Sequence, residues 1–137
     1  MDKKIYCQTI EVTSAVIDEL KHVNNRAYLG WMETLAREHA HLIDPSSEDI
    51  WVVREHHVLY LKSSYLGERL TVYTWLDQVS GVSARRCYAF FRGDELVVKA
   101  HTLWVCVSKT TMKPKRIPEI TKAVVCAGPQ SLLGEGH

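Results

Sequence analysis

The sequence predicts an α+β domain in which one long helix lies against a single curved, antiparallel five-stranded sheet. Three observations carry that reading: one stretch with helical periodicity, five stretches rich in strand-forming residues, and polar, glycine-bearing reversals between the later ones. A lone helix has an apolar stripe to bury, and here a sheet is the only layer that can cover it.

The first strand is read from Ile5 to Val12, where apolar and polar residues mix in a strand-like order. From Ala27 the period changes. Tyr28, Met32 and Ala36 lie four apart, as do Trp31, Leu35 and His39, so one broad face is apolar, while Glu33 and Arg37 suit a solvated i,i+4 pair. Asn24 or Asn25 fits the N-cap. Asp44-Pro45-Ser-Ser stops the helix after about five turns, because proline disfavours helical geometry at the residue before it. Four β-rich runs follow: Ile50 to Lys62, Leu70 to Val79, Ala84 to Arg92 and Glu95 to Val107. Reversals at Tyr65 to Glu68, Ser80 to Ser83 and Arg92 to Glu95 lead us to expect a meander in which successive strands pair. Residues 1–126 are expected to form one domain, and the glycine-rich tail 127–137 to be mobile.

A chain of 137 residues is long enough for one workable core, and 46% hydrophobic with 24% charged residues is ordinary globular composition. With 17 Lys and Arg against 16 Asp and Glu, the net charge is +1. No strong overall field draws nucleic acid or an anionic membrane, so any anion site must be local. Cys7, Cys87, Cys106 and Cys126 are scattered without a C-x-x-C pair, which favours reduced thiols over a zinc ribbon. The start lacks the apolar core of a signal peptide, and no run approaches the roughly 18 apolar residues of a membrane span. A soluble, cytoplasmic protein is expected.

The stretch VIDELKHVNNRAYLGWME, Val16 to Glu33, sets polar groups just ahead of the helix. The first amides of a helix have no partner within it and suit an oxyanion, helped by a dipole worth roughly half a positive charge. Asp18 lies too far ahead to be the cap, yet the loop can fold its carboxylate back toward those amides. A carboxylate beside free amides suits thioester chemistry, which needs a nucleophile or an activated water at the carbonyl carbon and donors where its oxygen becomes negative. By itself an aspartate before a helix is more often a solvated or turn-forming residue.

The pattern Asp18-x-x-x-His22-Val23-Asn24-Asn25-x-x-Tyr28-Leu29-x-Trp31-x-Glu33 resembles the 4-hydroxybenzoyl-CoA thioesterase-like family of hotdog-fold acyl-CoA thioesterases. Tyr60 to Thr71 resembles that family's second hairpin, and Lys113 to Ile120 its closing segment, so the likeness runs from the first strand to about Ile120. It implies a sheet wrapped round a central helix, with Asp18 as nucleophile or general base and the Asn25 backbone N–H polarising the thioester carbonyl. No cofactor is implied. The family commonly has glycine where this chain has Lys21, which raises the question of how the loop is shaped.

Around these two, His22, Asn24, Tyr28 and Tyr60 are expected substrate contacts, although His22 could equally orient Asp18 or bond the loop backbone. Arg85, Arg86 and Lys109, with Lys113, Lys115 and Arg116, are candidates to hold coenzyme A phosphates, against the alternative of solvated surface charge. Trp51, Trp75 and Trp104 are candidates to line an acyl pocket or to pack core. His56 and His57 are adjacent on a strand and point to opposite faces, so they make no shared metal site, and no metal is expected. Long unpaired sheet edges argue for a homodimer or homotetramer. The family implies a site between subunits, where Tyr60 or Arg85 would serve the partner's Asp18. The leading expectation is an acyl-CoA or acyl-carrier thioester hydrolase. A dehydratase or hydratase of the same fold is disfavoured because its usual helix spacing of His and acid is absent. A non-catalytic acyl-thioester or protein-binding module and a nucleic-acid binder using Lys113 to Arg116 are the rivals from other classes.

Overall fold

The computed structural model describes residues 3–129. Five strands and one long helix are present: β1 Ile5–Glu11, α1 Asn25–Ile43, β2 Ile50–Tyr60, β3 Arg69–Ser80, β4 Ser83–Arg92 and β5 Glu95–Val107, followed by a one-turn helix α2, Glu119–Lys122. Each strand lies where the β-rich runs predict it, to within two residues at its ends. α1 begins at Asn25, two residues before the apolar period, because Asn24 caps it. It ends at Ile43, with Asp44 as C-cap ahead of Pro45.

The sheet is antiparallel throughout, in the order β1-β3-β4-β5-β2. The expected meander therefore holds only for β3, β4 and β5, whose two-residue turns begin with Gly81 and Gly93, both at φ 60. That is the position where primed hairpin turns take glycine. β2 does not pair with β3. The segment 61–68 is too long for a tight hairpin and is held as a crossover. Its Leu61 and Lys62 amides donate to Val97 O, Ser64 O accepts from Val23 N–H, and Glu68 O accepts from Val12 N–H. The reversal at Gly67, φ 85, delivers the chain into β3 beside β1 instead of beside β2.

α1 lies across one face of this sheet. Tyr28, Met32 and Leu35 pack against Leu70, Val72, Tyr88, Phe90, Val98 and Ala100, all buried. Full burial stabilises by about 1.5–3 kcal/mol for a side chain such as Met32 or Leu35. At the other end of the helix Ile43 packs with Leu76, Ala84, Cys106, Ile117 and Val124. On the opposite face of the sheet Trp75, Ala89 and Phe91 make a smaller cluster. The chain reaches that face after Cys126, whose N–H donates to Leu76 O. Gly128, at φ 87, presses so closely on Trp75 that a Cβ would stand 2.3 Å from the indole, so glycine is required there. Residues 127–129 are the described part of the glycine-rich tail; 130–137 lie outside the described residues.

Candidate active site

Residues 17–23 form a tight loop ahead of α1. A bridge between Ile17 and Val23 closes it, Asp18 N–H donates to His22 O at 3.0 Å, and Lys21 N–H donates to Asp18 O at 3.0 Å. Lys21 has φ 70, the left-handed conformation that glycine adopts without strain. The loop thus takes the backbone shape a glycine would favour, and the lysine accepts it. Asp18 Oδ1 accepts from Leu20 N–H at 2.9 Å, and His22 Nδ1 stands 3.9 Å from the same oxygen and 3.4 Å from Val23 O. His22 thus touches both its own loop backbone and the side of Asp18. The Asp18 side chain is 25% exposed: sheltered, yet reachable by a small molecule.

Two further bonds dock the loop onto the domain: Val23 N–H to Ser64 O and Asn24 N–H to Val16 O, both 2.8 Å. At the helix start, Asn24 Oδ1 accepts from Arg26 N–H at 2.9 Å and Asn24 O accepts from Ala27 N–H at 2.9 Å. Of the first three helical amides, only that of Asn25 lacks an acceptor among the described residues. It borders a small cleft of about 130 Å³ walled by His22, Val23, Asn25, Tyr28, Tyr60 and Lys62, among others. Tyr60 OH donates to Asn25 O at 3.2 Å, closing one side. Burial raises the Tyr60 and Tyr28 phenols above their ordinary value, so both stay protonated at neutral pH. The arrangement offers an uncommitted donor at the positive end of a helix, with an aspartate behind His22. Asp18 is not itself a wall of the cleft; it approaches through His22.

The structure places Asp18, His22, Asn24 and Asn25 at this end of α1, and it sets Tyr60, expected to serve a partner's Asp18, beside Asn25 of its own chain. Tyr28 is 2% exposed and belongs chiefly to the core, edge-on to Phe90 and Trp31. The crossover residues Leu61, Lys62 and Ser63 also wall the cleft, and sequence reasoning missed them because it took 61–68 for a hairpin. Arg92 holds that crossover, donating to Ser63 O at 2.7 Å and to Glu68 Oε1 at 3.1 Å. A lone arginine at a strand end beside a glycine turn gives no sign of such a reach.

The phosphate candidates do not gather here within one protomer. Lys109 follows β5 at the end where Val107 pairs with Ile50, whereas Tyr60 pairs with Val98. Ten residues of β2 therefore separate Lys109 from the cleft, roughly 30 Å at about 3.3 Å per residue. Lys113 and Arg116 are exposed near Lys109, and Lys115 binds Asp49 at 2.7 Å. Arg85 lies on the sheet face away from α1 in a two-pronged pair with Asp77, at 2.9 and 2.7 Å. Arg86 is buried beneath the helix, 4% exposed, and is not a surface phosphate contact in the single chain. His57 stacks on His101 across the strands while His56 Nδ1 lies 2.9 Å from Thr102 Oγ1, so the two neighbours do face opposite sides.

A larger cavity, about 390 Å³, lies between the C-terminal half of α1 and the sheet, with Trp51 and Trp104 in its wall. Trp75 is on the other face. Although larger, this cavity lies away from the helix-start amides and from Asp18, so the smaller cleft has the better claim to acyl chemistry.

Residues 12–125 match the family model described as the thioesterase-like superfamily. The chain is 29% identical over 112 residues to the protein named "Putative acyl-CoA thioesterase YneP" of Bacillus subtilis (strain 168), covering 77% of this chain and 81% of that one. Its fold matches the DHNA-CoA thioesterase from Staphylococcus aureus with a TM-score of 0.73 and 24% identity, over 82% of this chain and 80% of that one. It also matches the Staphylococcus aureus protein SAV2348, solved in complex with CoA, with a TM-score of 0.81 and 16% identity, over 100% of this chain and 96% of that one. No helix among the described residues is long and apolar enough to cross a membrane.

Proposed function

Because the chain belongs to the thioesterase-like superfamily and has its hotdog fold, we propose that it hydrolyses an acyl-CoA thioester to a carboxylic acid and free thiol. The observation that carries this reading is the uncommitted Asn25 N–H, opening on a cleft beside the Asp18–His22 pair. The thioester carbonyl oxygen sits on the Asn25 N–H, where the helix dipole favours the charge that grows as the carbon becomes tetrahedral. Either Asp18 removes a proton from a water that attacks that carbon, or Asp18 attacks it directly and a water then cleaves the resulting mixed anhydride to free the acid and restore the carboxylate. In both cases the C–S bond breaks and the departing thiolate takes up a proton. Leu20 N–H and His22 keep the Asp18 carboxylate aimed and accessible. Tyr60 shapes the side of the cleft and Lys62 its rim.

Coenzyme A is the favoured carrier. The Bacillus relative carries an acyl-CoA name, and SAV2348 was solved in complex with CoA. The cations needed for its phosphates are remote from the cleft within one chain. In this reading a second copy, paired along the exposed β2 edge, supplies its own Arg85 or Lys109 to this site, and the pairing covers that edge strand. The assembly is therefore a homodimer or a pair of dimers, with sites between subunits.

The test is thiol release from a panel of acyl-CoAs of different length and aromaticity. Wild-type protein should turn over at least one of them, and Asp18→Asn should lower kcat by about a hundredfold or more with an unchanged melting profile. Equal turnover by the variant would remove Asp18 from the mechanism. Acyl-CoA affinity without turnover in the wild type would identify a binding module instead.

A further inference from the structure

Arg86 is the most deeply buried charge in the described chain, and it has no carboxylate partner among the described residues. It stands on β4 beneath α1, 4% exposed, and its two hydrogen bonds both use Nη1: to His39 Nδ1 at 2.8 Å and to Thr74 Oγ1 at 3.1 Å. Neither Nε nor Nη2 makes a hydrogen bond to the described residues. His39 cannot supply a counter-charge. It accepts from Arg86 at Nδ1 and so donates from Nε2 to Lys3 O at 2.6 Å, which is the neutral tautomer. Burial brings the guanidinium down only to about 10, so it remains charged at neutral pH. An ionised group taken out of water is costly unless another charge or several hydrogen bonds meet it.

The place where a counter-charge can come from is open. Arg86 is part of the wall of the 390 Å³ cavity, within the size range of small-molecule sites. The rest of the wall is largely apolar: Ala36, Ala40, Ile43, Leu76 and Ala84, together with the two tryptophans already placed there. Trp104 Nε1, in this wall, and Tyr88 OH, on the same strand as Arg86, are buried without a well-formed hydrogen bond, but they lie beside each other and Thr102, so Arg86 is the polar group that the cavity leaves open. The charged groups nearer the mouth are largely spoken for, with Asp49 on Lys115 and Arg37 on Glu33. Asp44, also in the wall, adds negative charge that disfavours a polyanion.

We infer that this cavity is a second ligand site, distinct from the cleft at the helix start, and that it takes a monocarboxylate with a compact apolar body. The carboxylate meets Arg86 through the free side of its guanidinium fork, and the body lies along the alanine face of α1 between Trp51 and Trp104. This is the chemical class of the acid released by thioester hydrolysis. The inference does not depend on that reaction, since the site rests on Arg86 and the cavity alone.

Calorimetric titration of the full-length protein with octanoate, and separately with octanamide, tests it. Octanoate should bind at least tenfold more tightly than its uncharged amide. Ala40→Phe, which fills the cavity from the helix while leaving Arg86 in place, should abolish octanoate binding. Asp18→Asn should leave the binding unchanged, which separates this site from the thioester cleft. Arg86→Gln should reduce discrimination between acid and amide to near unity; if that variant does not fold, Ala40→Phe decides. Absence of octanoate binding, equal affinity for acid and amide, or binding that survives Ala40→Phe would each overturn the second site, whatever the outcome with acyl-CoAs.

Discussion

Lys21 shows how much one backbone angle matters to the candidate site. Its φ of 70 lets the turn from Asp18 bring His22 back beside the carboxylate, and the Cβ of any L-residue makes that conformation unfavourable by roughly 1–2 kcal/mol. Glycine there would relieve the contact but add freedom to the unfolded chain. Lys21→Gly should therefore raise stability by up to about 1 kcal/mol, and Lys21→Val should lower it, as read from urea midpoints. A fall in stability with glycine would mean that the lysine side chain contributes more than its strain removes. The departure from glycine at this position was visible in the sequence. That the lysine would adopt the same left-handed turn was not, because the angle is imposed by the Ile17–Val23 bridge and by the bonds of the closed loop.

At the scale of elements, the helix was the most legible. Its caps, its apolar face and its Glu33–Arg37 pair all follow from local spacing, and the buried positions Tyr28, Met32, Leu35, Ala36, His39 and Ile43 continue the predicted stripe. His39 is the exception in kind, a titratable group at a core position. It joins α1 to the start of the chain through Lys3 O and to β4 through Arg86, and it stacks on Tyr6. Burial, reinforced by the Arg86 charge, depresses it from an ordinary 6.5 to about 4. Between those values the unfolded chain binds a proton that the folded one refuses. The contribution to stability is whole above about pH 6.5 and is lost as the pH falls toward 4. Unfolding free energy should drop by about 2 kcal/mol from pH 7 to pH 5 through this group, and His39→Gln should flatten that part of the profile. An unchanged slope in the variant would assign the acid sensitivity elsewhere.

On the scale of the whole molecule, the sheet order governs what can meet what. β1 and β2 form the edges, and Val52 and Leu59 of β2 are half exposed, at 47% and 50%. With Tyr60, Leu61, Tyr65 and Leu66 also exposed near the cleft, one chain leaves apolar surface and open backbone on the same side. Light scattering coupled to size exclusion should give a mass of at least twice the 15.7 kDa chain. Val52→Lys with Leu59→Lys on the β2 edge should shift it toward the monomer and lower turnover with it. A monomeric wild type with full activity would rule out a site shared between subunits.

Helix, strands and reversals could be read from the sequence because they answer to periods of 3.6 and 2 and to the backbone needs of glycine and proline, all of which are local. The Asp18-to-Glu33 pattern carried the candidate chemistry for the same reason: its parts are neighbours along the chain. Strand pairing is not local. Whether 61–68 turns back as a hairpin or crosses the sheet depends on Val97, Val12, Val23 and Arg92, which compete for its backbone from distant parts of the chain. Only the tertiary structure could decide that β2 lies at the far edge, that the crossover walls the cleft, and that Arg86 faces a cavity instead of solvent. Burial and long-range hydrogen bonding, which set those outcomes, are properties of the assembled layers.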